Sequence, residues 1–146
     1  MNTFVHEGVS QTIILNLGPG ELLKESIEAA ARKHDIQAGA VLCGIAALRV
    51  ASLHHIKHAD FPPEDILYKI HQPMEMTSLQ GVIIDCKAHC HMQCMSGKTG
   101  PVGGHLEEGS EIAYLAEIVL VKYFDFPLER YKHHEWGIDQ ICTRNS

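Results

Sequence analysis

The stretch "AHCHMQCMSGKTGPVGGHLEEG", residues 88–109, is where the chain concentrates its chemistry: three histidines, two cysteines and five glycines. Read as a strand, 87–94 alternates its side chains. His89, His91 and Gln93 then face one way, and Cys90, Met92 and Cys94 the other. Histidines and cysteines are thereby separated and cannot share one ion. The cysteine face has the character of core, where a free thiol behaves as a small hydrophobe. The histidine face has other uses. Positions i and i+2 stand about 6.6 Å apart along a strand, and two imidazoles at that spacing can lean onto one ion through bonds of about 2.0–2.1 Å. "SGKTGP" (96–101) turns the chain back, so 101–107 can pair antiparallel with 87–94 and deliver His105 as a third ligand. Gly103 and Gly104 leave room for a ligand or for close backbone approach. Three histidines with a fourth place open to water make a catalytic-type zinc site. Such a site should release its metal in acid, because imidazole binds only when neutral. The same residues also suit an ordinary hairpin with hydrogen-bonded or exposed histidines.

The elements that must position these side chains are mostly strands. "TIILNL" (12–17) reads as a strand ended by "GPG". "ELLKESIEAAARKHD" (21–35) then reads as an amphipathic helix with Leu23, Ile27, Ala30 and Ala31 on one stripe. Glu21 at its start and Arg32, Lys33 and His34 at its end suit the helix dipole, and Glu28–Arg32 forms an i,i+4 pair. "AGAVLCGIAALRVASLHHI" (38–56) is expected as two strands bent at Gly44. "HADFPPED" (58–65) reads as a surface loop. Segments 66–71, 75–85, 87–95, 101–107 and 111–124 complete the strands, with β-branched "IVLVKYF" tipping the last away from helix. In the tail only Trp136 stands out, as a packing anchor. One early helix followed by many strands predicts an α+β fold, mainly antiparallel sheet, in a single domain over 1–146 with its core at about 12–124.

Bulk properties narrow the function. The chain has 146 residues, 45% apolar and 21% charged, a globular composition of about one domain's length. No apolar run approaches the roughly 18 residues that span a bilayer, so no membrane partner is expected. "MNTFVHEG" lacks a basic region followed by an apolar stretch, which predicts a cytoplasmic location. Five cysteines without a CxxC pair suggest reduced thiols, not a redox motif or zinc ribbon. A net charge of -6 with 12 Lys+Arg counts against holding DNA through phosphates.

Four stretches together resemble the plant and prokaryote conserved (PPC) domain, which plant AT-hook nuclear proteins carry beside their AT-hooks. They are 17–53 with its "LGPGE" opening, "MEMTSLQGVI" (74–83), "HCHMQCMSGKTGPVGGHL" (89–106) and "AEIVLV" (116–121). The third, HxH followed by GGHL, is the most specific. "CGIAA" replaces the family's "SGIGA", and Gln93 with Cys94 departs from the pair that usually follows HxH. The resemblance implies a homotrimer holding zinc, or another divalent transition metal, on His89, His91 and His105. It also implies a fold similar to acetolactate decarboxylase. In plant members the domain is an interaction platform, and the strand matching 74–83 is implicated in partner contacts.

Two functions follow as expectations. One is a metal-binding, homotrimeric module that binds a ligand or partner and regulates. The family carries the label DNA-binding, but no Arg-Gly-Arg-Pro core of an AT-hook occurs here. The alternative is a zinc-dependent enzyme, a decarboxylase, lyase or hydrolase acting on a small carbonyl or carboxylate compound, with a small acid at the metal. Its general acid or base is not identified: Glu75, Glu107, Glu111 and Glu117 are near in sequence, and Arg49 could hold a substrate carboxylate. A cupin, which also uses HxH, fits poorly, since "MQCMSG" follows the pair where a glutamate is needed.

Overall fold

The computed structural model describes residues 1–144; Asn145 and Ser146, the end of the expected 1–146 span, lie outside the described residues. The elements are β1 (Ser10–Leu17), α1 (Leu23–Lys33), β2 (Ala38–Ile56), β3 (Asp65–Ile84), β4 (Lys87–Ser96), β5 (Gly100–Leu106), β6 (Glu111–Tyr123), β7 (Leu128–Lys132) and β8 (Asp139–Thr143). This is an α+β fold dominated by antiparallel sheet, with one helix.

The expected alternation is complete in β4: odd-numbered side chains are exposed and even-numbered ones buried. Cys90, Met92 and Cys94 belong to the main core, and α1 lies against the Ala88–Cys90 end of the strand. Leu23, Ile27 and Ala31 on α1 are fully buried, and the Glu28 carboxylate accepts the Ala88 N–H at 3.3 Å. Glu28 also pairs with Lys24 at 3.0 Å and with Arg32 at 3.8 Å. The helix and the β4 histidines therefore occupy opposite sides of the strand.

The main sheet runs β1-β6-β2-β3-β4-β5, and β5 returns to pair with β2. One edge of β2 pairs with β6 from Gly39 to Val50 and then with β5 at Leu53 and His54. The strands β2, β3, β4 and β5 thus curl into a closed end. Where β2 changes partner, Ser110 completes its backbone pairing. Its hydroxyl accepts the Ser52 N–H at 2.9 Å and lies 3.2 Å from the Ser52 carbonyl.

Two expected strand breaks, the bend at Gly44 and the gap between 66–71 and 75–85, are absent. β2 continues through Gly44, where an added Cβ would come within 3.1 Å of Leu79 and 3.3 Å of Ile118. That glycine makes room for the core; it does not end the strand. β3 likewise continues through Pro73. Register shifts between Leu48 and Val50, so Gln72 and Pro73 have no cross-strand partner on β2. A proline without a ladder N–H is tolerated at such a bulge. The tail, from which little was expected, forms the β7–β8 hairpin, and Leu128 packs on Ala38 and Ile84 in a second small core. Trp136 is exposed and stacks on His133 at 3.9 Å, so it is not an anchor of the main core.

Candidate metal centre

Register places the histidines. His91 and His105 are direct partners across β4 and β5, and His105 is the direct partner of His54 across β5 and β2. Directly opposed residues share a face, and His89 shares it with His91 through the period of two. Four imidazoles from three strands therefore meet on the side of the sheet away from the helix.

Their spacing is specific. Ring centroids stand 5.7 Å apart for His89–His91, 4.8 Å for His89–His105 and 5.4 Å for His91–His105. Three imidazoles bound tetrahedrally to one zinc through bonds of about 2.0–2.1 Å would set their centroids about 5 Å apart. The observed distances bracket that value, and the donor set of neutral nitrogens suits zinc. His54 is placed differently. It stacks on His105 at 4.2 Å, closer than the separation of about 5 Å that two ligands of one zinc would keep between their centroids.

Glu107, the residue after β5, is the carboxylate of the site. Its Oε1 accepts a hydrogen bond from His54 Nδ1 at 2.6 Å. An ionised carboxylate only accepts, so His54 carries its proton on Nδ1. Oε1 also lies 3.3 Å from His105 Nδ1, a buried atom with no formed hydrogen bond among the described residues. The ligand atoms of His54, His105 and Glu107 all fall within 4.8 Å of one another, a group that could hold a metal ion. On the outer side, His54 Nε2 is 3.7 Å from Asp65 Oδ1.

Desolvation, with the neighbouring charges of His54 and His89 added, pushes His105 down to about 4. His89 is lowered too, first by desolvation and then by the Arg130 guanidinium and His91. His89 and His105 therefore favour the neutral form, which is the one that donates to a metal.

The close approach of β2 and β5 depends on glycine. A Cβ on Gly104 would stand 2.5 Å from the His54 carbonyl oxygen, and one on Gly103 would stand 2.9 Å from that of Met92. Both roles expected for this pair are present: the backbones approach closely at each glycine, and both glycines also line a cavity of about 670 Å³ beside His91. Among the expected carboxylates only Glu107 reaches the centre. Glu111 pairs with Arg49 at 3.4 Å, Arg49 and Glu75 line a separate recess, and Glu117 is exposed on β6. His54 was missed in the sequence, because its only signal there is "HH" at the end of a strand.

Three comparisons place the chain among known proteins. Residues 5–124 match the Plants and Prokaryotes Conserved (PCC) domain. The bifunctional protein GlmU from Synechococcus sp. strain JA-3-3Ab is 34% identical over 116 residues, 80% of this chain. The same protein from strain JA-2-3B'a(2-13) is 32% identical over 116 residues, also 80% of this chain. This chain spans only 18% and 17% of the length of those two relatives. Among solved structures, a metal-containing protein from Archaeoglobus fulgidus has a TM-score of 0.80 at 22% identity, covering 94% of this chain and 96% of that one. A plant- and prokaryote-conserved (PPC) protein from Pyrococcus horikoshii has a TM-score of 0.77 at 19% identity, covering 100% and 99%. A Staphylococcus aureus protein similar to alpha-acetolactate decarboxylase has a TM-score of 0.52 at 13% identity, covering 77% of this chain and 52% of that one. At these identities the structural likenesses show a shared fold. With the family match spanning most of its length, the chain belongs to the Plants and Prokaryotes Conserved (PCC) domain family.

Proposed function

We propose that this chain is a metal-binding module in which His89, His91 and His105 hold zinc and leave one coordination place open to a small acid. The reading includes a single domain over 1–146, a homotrimeric assembly and a cytoplasmic location, where five cysteines stay reduced. Kinship with the domain of plant AT-hook proteins, implied by the sequence resemblance, belongs to it as well. One observation carries the metal assignment: three imidazole centroids 4.8 to 5.7 Å apart on one face.

The residues divide the work. His91 and His105, fixed opposite one another by the β4–β5 ladder, and His89 beside them supply the nitrogens. Glu107 stands behind His105 at Nδ1, which leaves Nε2 free to donate to the metal. His54 keeps Glu107 in place from the other side. His54 with His105 and Glu107 is the competing ligand set; stacking of the two rings argues for His54 in a supporting role. The Archaeoglobus relative, described as metal-containing, supports the metal assignment. Occurrence of a similar segment within a much longer bifunctional protein supports a module that serves a neighbouring activity. The net charge of -6 argues for a small ligand or protein partner over DNA. Zinc analysis of His91→Ala, set out at the end of the Discussion, tests the reading.

A second reading is a zinc-dependent decarboxylase, lyase or hydrolase of small carbonyl or carboxylate compounds. It is favoured by the cavity of about 670 Å³ that opens beside His91, which is space for a substrate at the metal. Bound zinc would polarise a substrate oxygen or lower the pKa of a water. Soaking crystals with zinc and small oxo or hydroxy acids separates the readings. An acid enclosed on the open place favours catalysis, and a metal closed by four protein ligands favours a structural role.

A further inference from the structure

The β7–β8 hairpin lies beyond residue 124, where the family match ends, and the metal reading makes no use of it. It stands over the same side of β3 and β4 as His89. Between hairpin and sheet opens a pocket of about 720 Å³, with His89 and Val82 on the sheet side and Arg130, Trp136 and Asp139 on the hairpin side. That volume is in the range of small-molecule sites.

Arg130 is the cation of this pocket. Its side chain is half-buried, and its Nη2 is shut off from solvent with no hydrogen-bond partner among the described residues. A guanidinium nitrogen held so is costly unless an anion completes it, and a carboxylate matches its two parallel donors. Asp139 lines the same pocket yet does not partner that nitrogen. Arg130 and His89 both line this pocket, so the cation and the proposed metal ligand face a common space. One guanidinium offset by one carboxylate suits a monoanion better than a doubly charged phosphate. Trp136, stacked on His133 at 3.9 Å with 8° between the planes, gives the pocket a flat π-surface.

We infer that this pocket binds a small organic monoacid, with its carboxylate on the Arg130 guanidinium and its other end directed at the His89 ring. Only the far end of the ligand rests on the zinc reading above; the Arg130 end stands without it.

Trp136 is the only tryptophan in the chain, so its fluorescence reports on the pocket directly. The probe is pyruvate, titrated into untagged, full-length, zinc-loaded protein, with methyl pyruvate and inorganic phosphate as controls. Pyruvate should give a saturable change, and neither control should at the same concentrations. Arg130→Gln should weaken pyruvate by about tenfold or more, Arg130→Lys by less, and both should keep the wild-type zinc content and melting temperature. No saturable response to pyruvate overturns the inference. So does equal binding of methyl pyruvate or phosphate, or equal pyruvate affinity in Arg130→Gln. Zinc bound together with Arg130-independent pyruvate binding sinks this inference alone. Arg130-dependent pyruvate binding to a protein that takes up no zinc sinks the metal reading alone.

Discussion

His91 and His105 are direct cross-strand partners, and their rings meet edge to face at 5.4 Å. Because the pair is set by the β4–β5 ladder, its geometry is as firm as the sheet itself. The third imidazole, His89, comes from the same strand as His91, so no loop has to move to assemble the set.

The seam between β2 and β5 depends on Gly104. An alanine there would put its Cβ 2.5 Å from the His54 carbonyl oxygen, backbone that cannot step aside cheaply. Gly104→Ala should cost about 2 kcal/mol of stability, a fall of about 5 °C in Tm at this chain length. It should also weaken metal binding by displacing His105. Differential scanning calorimetry and a zinc titration check both effects, and an unchanged Tm would remove the seam from the account.

Glu107 and His54 distinguish the two ligand sets. As supports of His105, Glu107→Gln should weaken zinc by about 10–100-fold without abolishing it, and His54→Ala should do less. If His54 were itself a ligand, its alanine variant would lose the metal as completely as His91→Ala. Competition titration with a chelator of known affinity measures the difference.

Thiol reactivity should follow burial. Desolvation pushes Cys90 up to about 12 and Cys94 up to about 11, and the thiolate is the reactive form. At pH 8 both therefore stay protonated as well as shielded, while Cys43 is exposed. Iodoacetamide followed by peptide mass mapping should label Cys43 in the folded protein and reach Cys90 and Cys94 only after unfolding. Labelling of all three at one rate would contradict the packing described.

The proposed trimer has a surface to use. Ile14, Leu42 and Ile45, respectively 72%, 62% and 54% exposed, line a recess on the β1–β6–β2 part of the sheet. Native mass spectrometry should give a trimer for the wild type and a monomer for Leu42→Asp/Ile45→Asp. A monomeric wild type would refute the assembly.

Much of this was legible in the sequence where the contacts are local. The i,i+2 parity of β4 and the tight turn into β5 placed His89, His91 and His105 on one face, and α1 followed from its stripe of Leu23, Ile27 and Ala31. The β2–β5 pairing is not local. It joins His54 to His105 across the chain, and nothing near residue 54 announces it. Pro73 and Gly44 misled for one shared reason: residues that usually end strands are tolerated where register shifts or where a neighbour fills the space. Arg130 and Trp136 acquire meaning only once the last hairpin folds back over β3 and β4.

Metal analysis of untagged protein, wild type against His91→Ala, bears most directly on the central claim. About one zinc per wild-type chain is predicted, released on acidification as the imidazoles take up protons and absent from a variant that still folds. Wild-type protein without zinc after incubation with excess Zn²⁺, or a folded His91→Ala that keeps its full complement, would contradict it.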